Sequence, residues 1–271
     1  MPPLAGINRS TSTGHVDDLT IIGIVVLSLA SLAGAVVSAT LGNAGGALLL
    51  GVMLLSGIPA VMALPLHAVT QLVSNATRMV AFLRHVKWPY AGVFMLAALP
   101  GPLIGLWLAN MLPRDSVKLM LGVLVIYACW APKGGLTQLP WHVAMGCAGF
   151  LAGVLGVVVG AIGPITALFI FREELPKERV VATAAVCMGF VHILKLIAFG
   201  EARGFNALDH LPLLVPMCIA AVIGTFIGRW THSRLSDKQF RMFFRVSLTL
   251  LGSKLCWDGI VGLLAAAPAA A

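Results

Sequence analysis

The stretch TLGNAGGALLLG, residues 40–51, poses a problem that any fold for this chain must solve. It lies within 59 consecutive positions without a charged residue, from Leu19 to Thr77. In lipid every backbone N–H and C=O must find its partner inside the protein, which favours unbroken helix. Gly42, Gly45 and Gly46, set around Asn43 and Ala44, do the opposite and open the backbone in an apolar setting.

The surrounding composition fixes the class. Hydrophobic residues make up 59% of the chain, charged residues 10%, and mean hydropathy is +0.97. A soluble domain carries about 25% charged residues. Further uncharged runs span Trp88–Pro113, Gly134–Phe171 and His210–Gly228. Each matches or exceeds the roughly 20 residues a helix needs to cross the hydrocarbon core. An all-α, polytopic transmembrane protein follows.

The first 18 residues are polar, with Arg9, His15, Asp17 and Asp18, and lack the apolar core and cleavage site of a secretory signal. No processing is expected, and the first span would direct insertion. The formal charge of +8 reads as Lys and Arg gathered in cytoplasmic loops, not as a nucleic-acid surface. Trp88, Trp141, Trp230 and Trp257 sit near segment ends, as an interfacial belt requires. Cys129, Cys147, Cys187, Cys218 and Cys256 are scattered singly, without metal-ligand spacing. Neither a metal nor another cofactor is expected.

Pro, Gly and charge positions cut the chain into ten apolar elements: 19–41, 46–57, 65–83, 89–111, 116–131, 141–159, 163–171, 177–199, 208–231 and 237–261. The elements at 46–57 and 163–171 are too short to span alone. The domain plan is a polar segment 1–18, a first transmembrane repeat 19–131, a connecting loop 132–140, a second repeat 141–261 and a tail 262–271.

The halves repeat. GNAGGA at 42–47 returns as GAIGPI at 160–165, and residues 57–82 align with 174–199. That alignment sets Asn75 on His192 and Arg78 on Lys195. Gly101, Gly105 and Ala109 parallel Ala220, Gly224 and Gly228, ridges that let helices approach closely in lipid. A repeat with a broken helix in each half is the pattern of secondary transporters. If all ten elements cross, the repeats are inverted, and the loops at 84–87, 133, 172–179 and 229–241 share a cytoplasmic side. Re-entrant short elements would make the repeats parallel. Inverted repeats are preferred, because they bring two equivalent breaks to one site from opposite leaflets.

The order of features is itself informative. A G-x-x-G-G/P turn follows an apolar helix; then come a short helix, a proline-containing loop, a polar-striped helix and a small-residue helix ending NMLPRDSVKLMLG, residues 110–122. This order, duplicated, resembles the TauE/SafE family of membrane permeases, associated with export of sulfite and organosulfonates. The resemblance covers about residues 20–260. It implies a cell (inner) membrane exporter of sulfite or an organosulfonate such as sulfoacetate. The first cluster departs from a longer glycine run, and the second, GVVVGAIGP at 156–164, is more apolar than usual. Both departures bear on which anion is carried.

The candidate substrate site starts from the two breaks. An interrupted helix frees N–H groups and exposes an N-terminus with about half a positive charge, so an anion can be held without a full cation. Gly42, Asn43, Gly45 and Gly46 would form one half of the cradle, and Gly160 and Gly163 the other. The same glycines also suit a tight helix crossing. On the third element His67, Gln71, Asn75 and Arg78 form one polar stripe, widened by Thr70 and Ser74. The second half offers Thr183, His192 and Lys195. Polar groups inside a membrane face a cavity or a partner. Neutral donors ending in a cation suit an oxyanion.

Each stripe residue has a plainer reading. Arg78 and Lys195 are long enough to snorkel to the interface. Gln71 and Asn75 could bond neighbouring helices. His67 follows Pro65 at an expected helix start and could face a loop. His192 is a candidate carrier of a coupled proton or a satisfied core histidine. The mixed-charge FREELPKER (171–179) and the basic 229–245 read as solvated faces that could also meet lipid headgroups.

No H-E-x-x-H, G-x-S-x-G or Walker A loop is present, and Asp115, Asp209, Asp237 and Asp258 lie near segment ends, so the chain is not read as an enzyme. A secondary permease for a small oxyanion remains, with an anion channel or a permease for another organic acid as alternatives. Expected partners are the anion and the lipid bilayer, with a proton as candidate coupling ion and a homodimer as candidate assembly.

Overall fold

The computed structural model describes residues 21–42, 45–109, 111, 113–130, 139–158, 163–170 and 175–266, and these are helical, without strands. The helices are α1 (Ile21–Leu41), α2 (Gly45–Leu55), α3 (Ala60–Ala81), α4 (Trp88–Ala98), α5 (Gly101–Ala109) and α6 (Arg114–Trp130), followed by α7 (Trp141–Val158), α8 (Gly163–Ile170), α9 (Lys177–Arg203), α10 (Leu211–Arg234) and α11 (Asp237–Ala266). Among the described residues five helical stretches are long and apolar enough to cross a membrane: Ile21–Leu41, Trp141–Val158, Lys177–Glu201, Ala207–Arg234 and Asp237–Ala265. The fourth expected element proves to be two helices, α4 and α5, bent by 44° at their junction, which is the geometry of a broken span or of a re-entrant loop. Pro100 sits in the break, where it lacks the N–H that would continue the helix.

The third element also starts earlier than expected. Pro59 precedes α3, and Pro65 lies inside it, so His67 stands in helix rather than at a loop. α3 is 22 residues long but is not among the apolar spans; its polar stripe is buried between other helices.

Small residues set how the helices cross. α10 lies along α1, with Gly224 against Leu32 and Ala35 and Gly228 against Val36 and Ala39. α5 lies along α7, with Gly101 against Gly153 and Gly105 against Val154. The two crossings are separate seats, one between α1 and α10 and one between α5 and α7. Both crossings bring backbone against backbone, which only residues without bulk permit. Ser31 Oγ reinforces the first crossing by donating to Met217 O at 2.8 Å.

Helix directions follow from which residues meet. Along α9, Thr183, Gly189 and His192 lie against Lys87, Asn75 and His67, so α3 and α9 run antiparallel. α6 and α11 are also antiparallel, since Gly122 meets Gly252 while Asp115 meets Gly259 and Gly262.

Adding a side chain at either seat should unfasten it. Gly105→Val and Gly224→Val are each expected to destabilise the detergent-solubilised protein by about 3 kcal/mol, the upper end for overpacking, because the obstacle is backbone. Thermal unfolding followed by tryptophan fluorescence would measure both losses. Unchanged stability in either variant would contradict the close approach at that seat.

Candidate functional site

The break after α1 is held by side chains from α3. Gly42 has φ +106°, a backbone conformation that favours glycine. Its N–H donates to Ser38 O at 2.8 Å and closes the end of α1. Arg78, 2% exposed, reaches the same end: Nη1 donates to Ser38 O at 2.6 Å and to Gly42 O. Its Nη2 donates to Asn75 Oδ1, and Asn75 Nδ2 donates to Gln71 O at 2.7 Å. A guanidinium at a helix C-terminus also offsets that end's partial negative charge. Arg78 therefore does not snorkel to the interface; it clamps the end of α1, with Nε left unpartnered.

The adjacent glycines divide the labour. Gly34 and Gly45 press backbone to backbone, so a Cβ on Gly45 would overlap Gly34 O, and the tight-crossing reading holds at that position. Gly46 faces the stripe instead: a Cβ there would stand 3.2 Å from Gln71 Oε1 and 3.5 Å from His67 Nε2. His67 Nε2 and Gly46 O lie 2.8 Å apart, and since a carbonyl only accepts, the imidazole donates.

From the other side comes α9. His67 and His192 meet edge to face, with ring centroids 5.8 Å apart and planes at 71°. Lys195, one turn beyond His192, is fully buried and acts electrostatically on both histidines. His67, Gln71, His192 and Lys195 thus gather beside the α2 N-terminus, while Asn75 and Arg78 tie the far end of the stripe to α1.

Other expected residues fall elsewhere. Thr183 lies nine residues before His192, about 13 Å along the helix, and its Oγ1 accepts from Lys87 N at 3.1 Å. It belongs to the packing of the 83–87 turn. Gly163 is buried at the start of α8, whereas Asn43 and Gly160 lie outside the described residues.

The loops hold a node that the sequence reading left to solvent. His232 is buried, with Nδ1 on Thr40 O at 2.9 Å, Phe82 and Phe240 edge-on to its ring, and Nε2 3.8 Å from Glu178 Oε1. Lys177 Nζ donates to His232 O at 3.1 Å and to Leu235 O, capping α10. The described parts of the loops near 84–87, 175–179 and 229–241 therefore gather at one end of the molecule. Cues to this node were faint in the sequence, because its partners are main-chain carbonyls and aromatic edges.

One imbalance sets the character of the site. Arg78, Lys195, His67 and His192 are buried, and no Asp or Glu is buried among the described residues. Buried positive charge is costly to keep and attracts negative charge strongly in a low-dielectric setting.

Multi-pass, helical and broken at a polar centre, the molecule has the make of a membrane permease. A family model described as Sulfite exporter TauE/SafE matches residues 26–255, and the chain belongs to that family. The family implies a membrane transporter for sulfite or related anions, in agreement with the resemblance seen in the motifs. No curated protein and no solved structure matches the chain.

Proposed function

We propose that this protein is a secondary permease that carries sulfite or an organosulfonate such as sulfoacetate outward across the cell (inner) membrane. Its site is the junction of the α2 N-terminus with the stripes of α3 and α9. The observation that carries this reading is the buried positive charge at that junction without a buried carboxylate among the described residues. An anionic substrate is attracted by that charge, and a membrane-embedded site of this kind disfavours a cation.

Two inverted repeats, 19–131 and 141–261, belong to the same proposal. What supports them is the reciprocal packing: α1 on α10 and α5 on α7, each through small residues, with α3 and α9 antiparallel. A two-fold axis in the membrane plane relates elements in this way. The end carrying the Lys177 and His232 node, rich in Lys and Arg, is then cytoplasmic.

Uptake of labelled sulfite and sulfoacetate into proteoliposomes tests the function. Saturable flux with counterflow is expected, whereas a pore shows no counterflow. Lys195→Met should weaken anion binding roughly thirtyfold, a loss of about 2 kcal/mol for a buried charge partner. Wild-type affinity in that variant would remove Lys195 from the site.

A further inference from the structure

We propose that His67 Nδ1 is the atom on which a proton binds together with the anion, so that each substrate is carried with one proton. This rests on the anion site proposed above. Because Nε2 donates to Gly46 O at 2.8 Å, the neutral ring carries its lone pair on Nδ1. That atom is buried and has no hydrogen-bond partner. A buried acceptor left without a donor is costly, and its persistence points to a function.

The groups around the ring decide when a proton can stay. α9 presents His192 and Lys195, and Arg78 lies farther along α3. α10 presents Cys218 near Thr70, with Arg229, His232 and Arg234 toward its distant end. α1 and α2 carry no titratable side chain. Without an anion, an imidazolium at position 67 would add positive charge beside Lys195, and among the described residues no Asp or Glu is buried to meet it. An anion in the same pocket reverses that repulsion. Proton and anion therefore bind with mutual positive coupling, and by linkage each raises the other's affinity by the same factor. The proton comes from solution and leaves with the substrate, and no bond within the anion changes.

Calorimetry of sulfoacetate binding to the purified protein at neutral pH, in buffers of different ionisation enthalpy, counts the protons. Sulfoacetate stays fully ionised there, so a proton taken up belongs to the protein. Uptake of about one proton per anion is expected, with affinity falling about tenfold per pH unit across the range where that uptake is seen. Binding without uptake overturns the proposal and leaves the anion site standing; absence of binding by sulfoacetate and by sulfite alike overturns both. His67→Gln keeps a donor for Gly46 O but lacks the titratable nitrogen, so it should bind sulfoacetate with no proton uptake. Uptake that survives in His67→Gln places the proton elsewhere and overturns the assignment. Should His67→Gln fail to fold, the wild-type proton count and pH slope still decide.

Discussion

Arg78→Met is expected to lower the thermal stability of the solubilised protein by several kcal/mol even when no anion is present. Gly42 O and Asn75 Oδ1 lose the guanidinium that satisfies them, while Ser38 O keeps the Gly42 N–H. Each buried acceptor left without a donor costs about 1–3 kcal/mol. The end of α1 also loses the cation that offsets its dipole. Arg78→Lys should recover only part of the loss, because an ammonium cannot reproduce the planar fork that spans α1 and Asn75. Thermal unfolding in anion-free buffer separates the roles. A stable Arg78→Met protein that has merely lost anion binding would show that the residue serves the substrate and not the break.

The second large effect separates two neighbouring glycines. Gly45→Ala should prevent accumulation of folded protein, because its Cβ would overlap Gly34 O and neither backbone can withdraw. Gly46→Leu should leave a folded protein whose flux is abolished. Its first new atom would meet the ends of the Gln71 and His67 side chains, which can give way, and the added bulk then lies against the stripe. Detergent-stable yield and proteoliposome flux, measured on both variants, test the contrast. Normal flux through Gly46→Leu would move the substrate away from the α2 N-terminus.

Much of the architecture was legible without coordinates. Long uncharged runs can only be buried in lipid, so the membrane class followed from composition, and the small-residue ridges at Gly101 and Gly105 and at Gly224 and Gly228 located the tight crossings. The stripe on α3 was legible too, since its spacing is that of one helix face. Helix limits were less so: Pro65 suggested a start, yet α3 begins at Ala60, and Leu99–Pro100 hides a 44° bend inside an unbroken apolar run. Lys177 and His232 looked like solvated charge in a mixed-charge and a basic loop, because the carbonyls they meet leave no mark in the residue pattern.

By itself, then, the sequence determined that this chain lives in a membrane, breaks its helix at Gly42–Gly46 and lines one helix with neutral donors and a cation. Those are properties of spacing and polarity, which each segment carries alone. Only the tertiary structure decided what the donors touch. Arg78 faces the opened end of α1, His67 faces Gly46 O, and His192 arrives from a helix more than a hundred residues away. Hydrogen-bond partners on the main chain are the same in every residue type, so their choice is fixed by packing and not by the letters of the chain.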